Sequence, residues 1–128
     1  MTIAEVSEHL NISIDTLRYY EKIGLIPPVK RNRGGIRDYG ETDLNWVEFI
    51  KRMRGAGLSI EVLTGYVQLA LQGDETIEAR RQILVEQRKQ LAARMKEMQK
   101  TINRLDFKIE QYKNTLAQKE KRLISSCQ

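Results

Sequence analysis

The sequence predicts a mainly α fold in which short helices and one small basic hairpin are followed by a single long helix. Three observations predict it. Apolar residues recur at helical spacing through most of the first seventy or so positions. Residues 16–39, TLRYYEKIGLIPPVKRNRGGIRDY, interrupt that pattern with Gly24, Pro27-Pro28 and a Gly-rich turn. From about residue 75 to about residue 119 there is no Pro or Gly, and apolar residues repeat every seven positions. We expect three segments: 1–73, 74–120 and a flexible tail at 121–128.

The first helix is expected over residues 2–10. Thr2 and Glu5 fit a capping box, and Ile3, Val6 and Leu10 form its buried stripe. His9 is the only histidine and suits an exposed helix end. Asn11-Ile12 turns the chain into the second helix. Ser13 is its N-cap, and Ile12 and Leu17 occupy the two positions of a hydrophobic staple. Ile14, Leu17 and Tyr20 should face a core, while Asp15, Arg18, Tyr19 and Lys22 face the other way. Gly24 suits the left-handed residue that ends such a helix. The outward spacing alone also describes an ordinary solvated helix face.

The hairpin shifts that balance. Residues 29–31 and 36–39 can pair around Asn32-Arg33-Gly34-Gly35, whose glycines allow the positive φ such turns require. Lys30, Arg31, Arg33 and Arg37 make the ribbon basic, and Arg37 and Tyr39 alternate onto one face. A two-stranded ribbon is marginal by itself, and one this basic is better suited to phosphates than to a core. One helix in a DNA groove and one finger along the backbone is the arrangement these residues fit.

A third helix is expected over 42–55, with Trp46, Phe49, Ile50 and Met53 as its core stripe and Lys51, Arg52 and Arg54 off it. Gly55 and Gly57 break it. Ser59 caps a fourth helix over 60–71, with Leu58 stapled towards Leu63 and an inner face of Leu63, Val67, Ala70 and Leu71. Gly73 ends it. On the long helix, Leu84, Leu91, Met98, Leu105 and Tyr112 hold one seam position, and Met95, Ile102, Ile109 and Leu116 hold the other. At about 1.5 Å per residue it extends on the order of 6–7 nm. A seam so narrow on a helix so long should bury against a second copy, most tightly from Leu91 to Leu116, since Arg81, Arg88 and Lys119 occupy the end positions.

Composition narrows the function. The net charge of +5 favours an anionic partner such as nucleic acid. The excess lies in the C-terminal helix; in the first half the acids balance the cations, which cluster at 18–37. Cys127 is the only cysteine, which rules out an intramolecular disulfide and a zinc site of several thiolates. No cofactor is expected, and no stretch resembles a signal peptide or a membrane span, so the chain is expected in the cytoplasm. No Ser-His-Asp or Cys-His set, phosphate loop or metal cluster suggests an enzyme. The alternative is a coiled-coil adaptor whose first half binds protein; the heptads suit it equally, but the basic hairpin does not.

RYYEKIGLIPP, GIRDY and RMRGAGLS resemble the MerR family of bacterial transcription regulators. The resemblance covers roughly the first half, and the remainder fits the family's dimerisation helix. It implies a winged helix-turn-helix unit with a β-hairpin wing, an antiparallel coiled coil, and a homodimer on a palindromic promoter. It also implies double-stranded DNA distorted between promoter elements so that RNA polymerase can engage both, and a basic residue on the DNA backbone at Arg54. The DNA-binding set expected is Asp15, Thr16, Arg18, Tyr19, Tyr20 and Lys22, then Lys30, Arg31, Arg33, Arg37 and Tyr39, with Arg54. IRDY and NWVEFIKRMRGAGLSIE resemble the subgroup answering aldehydes and nitrosative stress, which has a cysteine where this chain has Arg52. Metal-sensing relatives carry paired cysteines near the end of the dimer helix, where Cys127 stands alone. Cys127 is expected to be dispensable, and no separate drug-binding domain is expected after the coil.

Overall fold

The computed structural model describes the backbone of residues 1–127 and the side chains of residues 1–124. The elements are α1 (Ile3–Leu10), α2 (Ile14–Lys22), α3 (Glu41–Gly55), α4 (Ile60–Gln72), a 3-10 turn (Asp74–Thr76) and α5 (Ile77–Cys127). They form two compact units, Met1–Gln87 and Arg88–Gln128.

Local signals set the helix ends of the first unit. On α1 the Thr2 hydroxyl accepts from the Glu5 amide, and the Glu5 carboxylate accepts from the Thr2 amide, the reciprocal box expected. Ser13 Oγ accepts from the Thr16 amide and Ser59 Oγ from the Val62 amide. α2 ends with Gly24 at φ +79°; the Gly24 amide donates to Glu21 O and the Leu25 amide to Tyr20 O. α3 ends the same way at Gly57, whose amide donates to Arg54 O while that of Leu58 donates to Met53 O. Each pair satisfies two otherwise orphaned carbonyls and turns the next apolar residue, Leu25 or Leu58, back under its helix.

The core gathers Val6, Ile12, Leu17, Leu25, Ile26, Val29, Tyr39, Val47, Ile50, Leu58, Leu63 and Val67. Several expectations are corrected here. Val47 joins Ile50 as the buried pair of α3, while Trp46, Phe49 and Met53 pack at the edge of the core. Trp46 and Phe49 lie edge to face with ring centroids 6.2 Å apart, and each meets Tyr66 of α4. Leu71, expected on the inner face of α4, is 52% exposed. Leu25, Ile26 and Val29, in the segment read as a break, plug the core instead.

The wing pairs over a shorter stretch than the sequence suggests. It contains one antiparallel bridge, Arg31 with Arg37. Two backbone hydrogen bonds flank it, from the Asn32 amide to Ile36 O and from the Asp38 amide to Lys30 O, both at 2.8 Å. The Val29 amide donates to the Glu21 carboxylate, and the Tyr39 amide donates to Met1 O. At the tip the Asn32 carboxamide oxygen accepts from the amides of Gly34 and Ile36, and only Gly35 of the two glycines has positive φ. The wing is therefore a short paired loop, held by backbone hydrogen bonds beside the bridge and by the Glu21 and Asn32 side chains.

The first turns of α5 belong to the first unit. Arg80, Ile83 and Gln87 share one side of the helix and are half-buried. Gln82, Ile83, Glu86 and Gln87 line a groove of about 390 Å³ with Glu61, Val62 and Gly65 of α4. Thr76 anchors the junction, its hydroxyl donating to Leu69 O.

In the second unit α5 runs on through Cys127, past the boundary expected at residue 120. The Cys127 side chain lies outside the described residues. Leu91, Met95, Met98, Ile102, Leu105, Ile109, Tyr112 and Leu116 are all exposed in the single chain, as is Leu84 nearer the start of α5. Among the described residues, no helix is long and apolar enough to cross a membrane.

Candidate nucleic-acid interface

Helix α2 presents two faces. Leu17 is fully buried and Ile14 and Tyr20 half-buried, while Asp15, Arg18, Tyr19 and Lys22 are exposed. Arg18 Nη1 stands 3.9 Å from Asp15 Oδ1, a loose surface contact that leaves the guanidinium available. Thr16 is half-buried, and its side-chain oxygen accepts from the Ser13 hydroxyl at 2.7 Å, so it belongs to the N-cap. Tyr20, expected among the DNA-facing residues, packs against the core.

The wing is fastened to this helix by Glu21. One carboxylate oxygen accepts from Arg37 Nε at 2.5 Å, and the other accepts from the Val29 amide at 3.0 Å. The Glu21 and Arg37 side chains are only 16% and 22% exposed. Burial raises the Glu21 pKa, but the Val29 amide and the Arg37 guanidinium outweigh it and hold the carboxyl below the usual glutamate value. Arg37, expected as a phosphate contact, is thus a structural partner that fixes the wing at the end of α2.

Tyr39 is also corrected. It is 2% exposed and lies in the core, with its hydroxyl buried and without a hydrogen-bond partner among the described residues; burial pushes its pKa up. Arg37 and Tyr39 do share one face, as the alternation predicts, but that face turns inward, Arg37 to Glu21 and Tyr39 to the core.

The remaining wing cations are exposed. Among the described residues the side chains of Lys30 and Arg33 make no hydrogen bond or ion pair, and the same holds for the side chain of Lys22 on α2. Arg31 Nη1 donates to Gly35 O at 2.8 Å, which holds its guanidinium along the loop. Arg54 is exposed but donates to Leu58 O at 2.7 Å, bracing the turn after α3. The structure thus brings Arg18, Tyr19, Lys22, Lys30, Arg31 and Arg33 to the surface of one helix and its attached loop. It withdraws Tyr20, Arg37 and Tyr39.

Sequence reasoning missed two positioning residues. Glu21 is one of two carboxylates, with Asp38, among the six cations of residues 16–39, and that scarcity of acids was the available signal. Lys51 Nζ donates to Leu10 O and so satisfies a carbonyl at the end of α1 from α3, a contact with no local signature.

Comparison with known proteins decides the family. The MerR HTH family regulatory protein pattern matches residues 1–69, and the MerR DNA-binding pattern matches residues 44–107. The chain belongs to the MerR family. It is 56% identical over 91 residues to the HTH-type transcriptional regulator AdhR of Bacillus subtilis, across 71% of this chain and 65% of AdhR, just under two thirds of that protein's length. A MerR family transcriptional regulator from Listeria monocytogenes superposes with a TM-score of 0.91 at 47% identity, covering 96% of this chain and 93% of that one. HiNmlR, a MerR family regulator lacking the sensor domain and bound to promoter DNA, superposes with a TM-score of 0.83 at 30% identity over 91% and 92% of the two chains.

Proposed function

We propose that this MerR-family chain is a homodimeric, sequence-specific DNA-binding transcription regulator. The observation that carries the reading is the outward face of α2, with Arg18 and Tyr19 exposed, locked through Glu21 to a loop with unpaired cations at Lys30 and Arg33. The likeness to HiNmlR bound to promoter DNA supports it. Two such heads, joined through the α5 seam, read the two halves of a palindromic promoter.

Asp15, Arg18 and Tyr19 are assigned to base edges or the phosphates beside them. Lys22, Lys30, Arg31 and Arg33 are assigned to the backbone, where they set register and affinity. Arg54 and Thr16 contribute through the turn and the N-cap that they brace. The dimer distorts the duplex between promoter elements so that RNA polymerase engages both, at a deformation cost on the order of several kcal/mol offset by protein–DNA contacts. The protein acts in the cytoplasm and is not an enzyme. The resemblance to the aldehyde and nitrosative-stress subgroup motivates a stress stimulus, received by a route that does not use a thiol at position 52.

Footprinting on the chain's own promoter, followed by transcription with purified polymerase, tests this reading. Protection of an inverted repeat and a change in transcript yield are expected; protection of no specific sequence would overturn it.

A further inference from the structure

The charges of this chain are divided unevenly between its two units. Up to Gln87 there are eleven Lys and Arg against thirteen Asp and Glu, a net of −2; from Arg88 onward there are eleven against four, a net of +7. The unit that carries α2 and the wing has a local basic face but no overall attraction for a polyanion. The long-range attraction resides in the helix that follows.

The seam does not account for this excess. Lys89, Lys96, Lys100 and Arg104 fall outside both seam positions, on the side of the helix facing away from them, and all four are exposed. Among the described residues the side chains of Lys89, Lys96 and Arg104 make no hydrogen bond or ion pair, and Lys100 has Glu97 at 3.0 Å. Lys96, Lys100 and Arg104 stand four residues apart, about 6 Å along the axis at each step. Like charges at that spacing destabilise a helix, and bringing two such helices together adds to the repulsion. The row neither caps nor packs, so it opposes the stability of the helix and dimer that carry it. A regular line of cations, of which only Lys100 has an acidic partner, is suited to the regular anions of a nucleic-acid backbone, where neutralised phosphates release counterions.

We propose that this outer row is a sequence-independent polyanion track, which draws the dimer onto duplex DNA of any sequence while α2 and the wing select the operator. The inference rests on the regulator reading above. It divides the work: the track governs the rate of arrival and the non-specific affinity, and the reading head governs residence on the operator. An acidic protein surface is the competing occupant of the same row.

The test uses the full-length dimer carrying Lys89→Gln, Lys96→Gln, Lys100→Gln and Arg104→Gln together. Association with operator and scrambled duplexes of equal length is followed by stopped flow between about 50 and 200 mM salt. The association rate at the low end should fall roughly tenfold. Affinity for scrambled duplex should fall too, its salt slope flattening by about 0.9 for each phosphate no longer neutralised. Dissociation from the operator should stay within about twofold, with the dimeric mass unchanged. A charge-keeping variant, with Lys→Arg at the three lysines and Arg104→Lys, should match the parent. If the quadruple variant weakens the dimer, the pair Lys96→Gln and Arg104→Gln carries the same test at half the charge. Parental association rates and scrambled-duplex affinity at every salt would overturn the proposal, and would do so equally if the variant instead lost an acidic protein partner. Should the unmutated protein fail to prefer operator over scrambled duplex, the regulator reading fails; the track is still decided by the scrambled duplex alone.

Discussion

Replacing Glu21 should loosen the wing and lower the stability of the first unit together. Glu21→Ala removes the acceptor of two groups, the Val29 amide and the Arg37 guanidinium. Each buried donor left without a partner costs about 1–3 kcal/mol. The two side chains keep 16% and 22% of their exposure, so water recovers part of the Arg37 contribution. We expect a loss of about 2–3 kcal/mol. Glu21→Gln keeps one acceptor and loses the charge, for a loss of about 1–2 kcal/mol. The assay is urea unfolding at fixed protein concentration, followed by the fluorescence of Trp46, the only tryptophan, which sits at the edge of that unit's core. The pH dependence gives a second readout. The folded Glu21 carboxyl titrates below its ordinary value of 4.5, so its contribution is present above that pH and is lost as pH falls through the lower folded value. Glu21→Gln should remove that part of the acid limb. A loss under about 0.5 kcal/mol for Glu21→Ala, with unchanged hydrogen exchange at the Val29 amide, would refute the clamp.

Charge substitution of the seam, Met98→Glu with Leu105→Glu, should convert the dimer to monomer or unfolded chain by analytical ultracentrifugation. The two side chains are 65% and 56% exposed in the single chain, and a folded monomer of the unmutated protein at micromolar concentration would contradict it. Gly24→Ala should lower unfolding stability by about 1–2 kcal/mol, because φ is +79° and the new Cβ would lie 2.9 Å from the Gln68 amide nitrogen; an unchanged denaturation midpoint would show that the turn is not required.

Much of the fold was legible because the signals were local. Thr2, Ser13 and Ser59 announce helix starts, and Gly24 and Gly57 announce ends, since each acts on a backbone group within a few residues. The periodicity that separates Leu17 from Arg18 is equally local. What was not legible depends on contacts distant in sequence. Tyr39 is inward because its amide pairs with Met1, at the other end of the segment. Arg37 is occupied because Glu21, in the last turn of α2 and sixteen residues earlier, accepts from it. Leu71 is outward and Val47 inward because burial on α3 and α4 is set by neighbouring elements as well as by the spacing of apolar residues. The wing looked like a hairpin because its turn residues are those of a hairpin; its pairing is confined to the Arg31–Arg37 bridge and the two backbone hydrogen bonds beside it.

The central claim is that the face of α2 carrying Arg18 reads sequence while the wing supplies general grip. The most direct test measures affinity for operator and scrambled duplex across a salt series, in Arg18→Ala and Arg33→Ala. Arg33→Ala should weaken both duplexes alike and flatten the salt slope by about one unit. Arg18→Ala should cost the operator about 1–3 kcal/mol more than the scrambled duplex. Equal losses on both duplexes for Arg18→Ala would make Arg18 a backbone clamp and move base reading to Asp15 or Tyr19; no change in either variant would contradict the assignment of this surface to DNA.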